Sequence, residues 1–190
     1  MADIAQLHRQ ALAGTRKIVA GVPADRWDAP SPCEGWDARE LLNHVVAGNW
    51  WAAALSAGAT IEAVGSRLDG DVLGGDPLTA YDRSAEAAGA AFEAPGALDA
   101  PCAVSYGPVP GSLYAGHRFI DVFVHGWDLA EATGQDPTLD ARLAEACLEV
   151  VAPQAELLAA SGMFGTPVEL PASAPPAARL LAVLGRNASV

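Results

Sequence analysis

Basic side chains are scarce in this chain of 190 residues: 11 Lys and Arg stand against 23 Asp and Glu, a formal net charge of -12. Nucleic-acid binding needs clustered cations to neutralise phosphate, and no such cluster occurs, so no nucleic-acid partner is expected. Cysteine is scarce as well. Cys33, Cys102 and Cys147 are odd in number and far apart, which fits neither a disulfide framework nor a zinc knuckle and suits a reducing, cytoplasmic setting. MADIAQLHRQ lacks a basic stretch followed by an apolar leader, because His8, Arg9 and Gln10 interrupt its short apolar start. Long apolar runs are missing too. Gly, His, Asp or Pro breaks each one before the roughly 20 residues that a bilayer demands, so no membrane span is expected.

What is present is a hydrophobic content of 51% with only 18% charged residues. That suffices for one substantial core, and a single domain over residues 1–190 is expected. Ile4, Leu7, Ala11, Ile18, Val19 and Val22 recur at helical spacing, which predicts a first helix over about residues 2 to 21, stopping near Pro23. After a proline-rich loop, Asp37 and Glu40 form a capping-box pattern that starts a second helix, with Leu41, His44, Val45, Gly48, Ala52 and Leu55 on one side. Asp76 and Pro77 open a third, alanine-rich helix that runs to Phe92 and stops at Pro95 and Gly96. The segment LDAPCAVSYGPVPGS reads as a loop with a short extended piece at Ala103 to Tyr106. A fourth helix spans Ser112 to Thr133, with Gly134 as its left-handed cap. A fifth, over about residues 140 to 160, is kinked at Pro153; an extended crossing and a short last helix, AARLLAVLG, follow. The class is all-α.

The fourth helix carries the chemistry. Asp121 and His125 are four residues apart, so they lie about 40° apart around the axis and about 6 Å along it, close enough to share one ion. Arg118, Asp121, His125, Asp128, Leu129 and Ala132 project to one side, a polar stripe whose burial costs several kcal/mol unless a cation or hydrogen bonds compensate. The same spacing also fits an ordinary Asp and His pair beside Arg118. His44, flanked by Leu41, Leu42, Val45 and Val46, points to the core or a cleft and is a candidate third ligand, although a lone histidine in such a setting is more often hydrogen-bonded in a core. His8 is expected to face solvent, and His117 lies about 80° around the helix from His125, outside the ligand set. Cys33 in PSPCEGW has no base nearby in sequence and is read as packed, with no catalytic role.

SPCEGWDARELLNHVVAGNWW followed by HRFIDVFVHGWDLAEATG resembles the DinB-like metal-binding family related to the N-terminal domain of mycothiol-dependent maleylpyruvate isomerase, over most of the chain. The resemblance implies a DinB-like four-helix bundle with extra short helices and a small extended segment. It also implies a metal held by a histidine of the second helix and an E-x-x-x-H pair of a later one, here His44, Asp121 and His125. Asp121 replaces the glutamate, which shortens that arm by one methylene. The isomerase carries a further C-terminal domain, whereas only about 30 residues follow the last long helix here, so fold transfers and substrate does not.

Three N and O ligands leave a coordination position open, the arrangement of a catalytic zinc site, although nickel, iron or manganese suits the same donors. The leading expectation is a mycothiol-type, thiol-dependent isomerase or S-transferase acting on a small electrophilic substrate, with Arg118 or Asp128 orienting groups around the metal. The alternatives are a metal-dependent binding or sensing protein without turnover, and a structural bundle whose polar residues only hydrogen-bond. Broad apolar helix faces make a homodimer plausible.

Overall fold

A computed structural model describes residues 3–154 and 165–186. They fall in two compact units, Met1–Pro137 and Thr138–Val190. The first holds four long helices, α1 (Ile4–Gly21), α2 (Ala38–Ser56), α4 (Pro77–Glu93) and α5 (Gly111–Thr133). A single-turn helix, α3 (Ile61–Val64), follows α2, and a hairpin of β1 (Pro101–Val104) and β2 (Gly107–Pro110) precedes α5.

Three of the four long helices, α1, α2 and α4, start where a side chain satisfies backbone N–H groups left over at the first turn. Asp3 accepts from Ala5 N, and Asp76 accepts from Thr79 N ahead of Pro77. Asp37 and Glu40 form the expected reciprocal box, with Glu40 N donating to Asp37 Oδ1 at 2.8 Å and Asp37 N to Glu40 Oε2 at 3.0 Å. Gly134, at φ 71°, closes α5 in the left-handed conformation that lacks a steric cost only in glycine.

The four helices form a bundle in the cyclic order α1, α5, α2, α4, so α2 lies directly against α5. Leu41, Leu42, Val45, Val46, Ala52 and Leu55 of α2 are buried, as are Leu7, Ala11, Leu12 and Val19 of α1 and Tyr81, Ala88 and Phe92 of α4. Burying each large aliphatic chain contributes roughly 1.5–3 kcal/mol. The small residues of α4 serve close approach: a side chain at Gly89 would collide with the guanidinium of Arg9, which reaches across to Glu86 and Glu93.

Two expectations need correction. His8 is fully buried and packs edge-on against Phe92. The extended piece is a true antiparallel hairpin, with Val104 opposite Gly107, so Ser105 and Tyr106 are its turn rather than its strand. The second unit begins with α6 (Ala141–Val151), capped by Asp140, and its α-helical geometry gives way to a 3-10 turn at Ala152–Gln154, around the Pro153 where a kink is expected. The remainder of the expected fifth helix lies outside the described residues. A last helix, α7 (Pro176–Val183), packs on α6 through buried Leu180 and Leu181, while 165–171 has no regular structure. No helix among the described residues is long and apolar enough to cross a membrane.

Candidate metal centre

The α2–α5 contact brings His44 to the Asp121–His125 pair. Asp121 Oδ1 lies 3.2 Å from His44 Nε2 and 3.6 Å from His125 Nε2, and the two rings meet edge to face at 5.1 Å. Tetrahedral zinc, with bonds near 2.0–2.1 Å, sets its N and O ligands about 3.3 Å apart, close to the two distances from Asp121 Oδ1, and all three candidate ligand atoms lie within 4.8 Å of one another. The cluster opens to solvent on the α2 side: the His44 side chain is 39% exposed, against 24% for Asp121 and 12% for His125.

Asp121 and His125 are held from behind. Arg118 is buried and places Nη1 2.9 Å from Asp121 Oδ2, an ion pair without hydrogen-bond geometry, leaving Oδ1 to the two histidines. The guanidinium rests where Gly48 has no side chain, because a Cβ there would overlap it. Its Nη2 also donates to Asn49 Oδ1 at 3.4 Å, and Asn49 Nδ2 donates to Ser84 Oγ. Burial pushes the Asp121 carboxyl up, but Arg118, His125 and His44 outweigh it and hold the group well below the usual carboxylate range.

His125 is oriented by a second carboxylate. Its Nδ1 lies 2.9 Å from Oδ2 of fully buried Asp128, one turn on along α5, which directs Nε2 toward Asp121. Trp36 supports the solvent side of the cluster, with its ring 4.9 Å from His44 and 6.4 Å from His125. The Trp36 loop also delivers Cys33, whose Sγ lies 3.8 Å from His125 Nδ1 and 3.4 Å from Asp128 Oδ2. The expectation that Cys33 lacks a nearby base fails for this reason: the base is 92 residues away in sequence. His117 stays outside the cluster and meets Tyr106 Oη at 2.6 Å.

Exchanging Asp128 for asparagine keeps the shape and removes the charge behind His125. Isothermal titration of Asp128→Asn is expected to show zinc binding weakened about 10- to 100-fold, the usual effect of losing such a partner. An unchanged affinity would mean that Asp128 does not orient the ring.

Two uncharacterized proteins of Mycobacterium tuberculosis, one from strain CDC 1551 / Oshkosh and one from strain ATCC 25618 / H37Rv, are each 35% identical to the chain over 194 residues. The alignment covers 97% of this chain and 98% of either relative. No solved structure matches the chain significantly. The profile of the mycothiol maleylpyruvate isomerase N-terminal domain matches residues 8–130, a span that runs from within α1 to within α5 and includes His44, Asp121 and His125. The bundle, the helix order and this match agree, and the chain belongs to the mycothiol maleylpyruvate isomerase N-terminal domain family.

Proposed function

We propose that the chain binds a divalent metal, zinc first among the candidates, through His44, Asp121 and His125, and that it catalyses a thiol-dependent isomerisation or S-transfer on a small electrophile. The observation that carries this reading is the convergence of three ligand atoms, from two helices, within 4.8 Å of one another. Two imidazoles and one carboxylate suit zinc, and three protein ligands leave room for an exogenous one. The family name supplies the class of thiol, mycothiol.

When bound, the ion supplies Lewis acidity that favours the thiolate form of a small thiol at the open position. The chain's own residues do the remaining work. Arg118 holds the Asp121 carboxylate ionised and turned toward the rings; Asp128 fixes the His125 ring; Trp36 narrows the solvent side next to His44. His44, the most exposed of the three ligands, marks the side from which thiol and substrate enter.

The test is turnover by the zinc-loaded protein with mycothiol and a panel of small electrophiles, including maleylpyruvate. Product formation that needs both thiol and metal, and that stops on chelation, is expected. Turnover indifferent to chelation would overturn the reading. Stoichiometric binding of zinc and thiol without turnover of any electrophile would identify a binding or sensing protein instead.

A further inference from the structure

The His125 ring has two sides, and the proposed function uses only one. Nε2 faces Asp121, whereas Nδ1 faces Asp128 Oδ2 at 2.9 Å and Cys33 Sγ at 3.8 Å; Sγ and Oδ2 are 3.4 Å apart. We propose that Cys33, His125 and Asp128 form a second cation site, for a soft divalent ion such as zinc or cadmium, that shares the His125 ring with the first. The inference goes beyond the proposed function and does not require the first triad to be filled.

Geometry and donor chemistry both favour it. All three ligand atoms lie within 4.8 Å of one another. Around tetrahedral zinc, with Zn–S near 2.3 Å, nitrogen and oxygen ligands sit about 3.3 Å apart, and sulfur sits about 3.6 Å from either. The two sulfur spacings, 3.4 and 3.8 Å, bracket the ~3.6 Å value, and the nitrogen–oxygen spacing of 2.9 Å, now a hydrogen bond, has to widen by about 0.4 Å to admit the ion. A thiolate is the softest donor a protein offers, and it selects zinc-like ions over magnesium or calcium. Charge points the same way. The carboxylate of the first triad is already paired with Arg118, while Cys33 as thiolate and Asp128 bring two negative charges to a dication.

Local structure holds the thiol in place before any ion arrives. Cys33 opens a tight turn in which Trp36 N donates to Cys33 O at 3.1 Å, with Gly35 at φ 81° where other residues would be strained. Ser31 ties both ends of that turn. Its Oγ accepts from Cys33 N at 3.2 Å and donates to Trp36 O at 2.8 Å. Cys33 is half-buried and reachable, Asp128 is fully buried, and α5 fixes His125 and Asp128 one turn apart. Loading the site releases the thiol proton to solvent and replaces the His125 Nδ1–Asp128 hydrogen bond: the ring proton moves to Nε2 when the first triad is empty and leaves to solvent, giving a bridging imidazolate, when it is filled.

Cobalt(II) tests the site, because thiolate ligation gives a near-ultraviolet charge-transfer band that histidine and carboxylate ligands lack. The full chain titrated with cobalt is expected to show this band, to keep it in His44→Ala, and to lose it in Cys33→Ser, with about one fewer ion bound per chain in Cys33→Ser. A second measurement needs no variant: saturating cadmium should slow alkylation of Cys33 at least ~10-fold, with buried Cys102 and Cys147 as references mapped in the same mass spectra. No thiolate band at saturating cobalt, a band that survives Cys33→Ser, or alkylation of Cys33 indifferent to cadmium would each overturn the second site. Failure of the first site is separable: it appears as a thiolate-free equivalent unaffected by His44→Ala.

Discussion

Arg118→Met is expected to destabilise the metal-free protein by about 3 kcal/mol, and saturating zinc is expected to return most of that loss. Arg118 is buried beside Asp121, and methionine keeps the apolar stem of the side chain while removing the guanidinium and its charge. The Asp121 carboxylate, only a quarter exposed, is then left without its guanidinium. Breaking a buried pair typically costs 3–5 kcal/mol, and the low end applies because Asp121 keeps some solvent. A dication between Asp121 and the histidines restores the missing positive charge, so zinc should stabilise the variant more than the wild type. Urea denaturation with chelator and with zinc reads both quantities. Equal destabilisation under the two conditions would make Arg118 a core strut unconnected to the site. The pH sign follows from the depressed Asp121 pKa. Its contribution is complete above the unfolded value near 4 and is lost as pH falls through the lower folded value, so the wild type gains more than Arg118→Met as pH rises toward about 4.

The second large effect concerns acid stability. His8 is fully buried among α1, α4 and α5 packing, and neither ring nitrogen makes a hydrogen bond among the described residues. Burial, then the charges of Arg118 and Arg9, pushes its pKa down from 6.5 to about 3. The unfolded chain therefore takes up a proton near pH 6.5 that the folded chain refuses until about pH 3, and stability falls as pH drops through that window. At pH 4.5 the loss from this group alone is about 2–3 kcal/mol relative to pH 7, from 1.36 kcal/mol per pH unit over about two units. His8→Leu removes the proton uptake and also the unsatisfied polar atoms, so it should match or exceed the wild type at pH 7 and lose less on acidification. Denaturation curves for both proteins at pH 7 and pH 4.5 decide the point. Parallel losses would assign the acid sensitivity to other groups.

The long helices were legible because their signals are local. Asp37 with Glu40, Asp76 with Pro77, and Gly134 each act within one turn of the residues they cap, and the structure uses all of them. Asp121 and His125 were legible as a pair for the same reason, since helical geometry alone sets their spacing. That His44 meets them follows from the cyclic order of the bundle, which brings α2 against α5, and no spacing within either helix encodes that order. The misread residues share a cause. His8 is expected to face solvent as a polar residue of an amphipathic helix, yet its own side of α1 carries Leu7, Ala11 and Leu12 into the core. Cys33 and Trp36 looked like loop residues before a helix cap, and their partners sit on α5. In the hairpin, Gly107 at φ 110° carries a turn signal that was read as a general loop marker. A Ser105–Tyr106 turn flanked by two four-residue strands is the more specific reading of that same glycine.

The central claim is that His44, Asp121 and His125 together hold a metal. Its most direct test is elemental mass spectrometry on untagged protein, purified without added metal, beside His44→Ala and His125→Ala variants of confirmed helicity. The account predicts bound divalent metal in the native protein, zinc in greatest amount, with the ion of the first triad lost from both variants. Metal absent from all three proteins, or present in equal amount in all three, would contradict it and leave a bundle whose polar cluster only hydrogen-bonds.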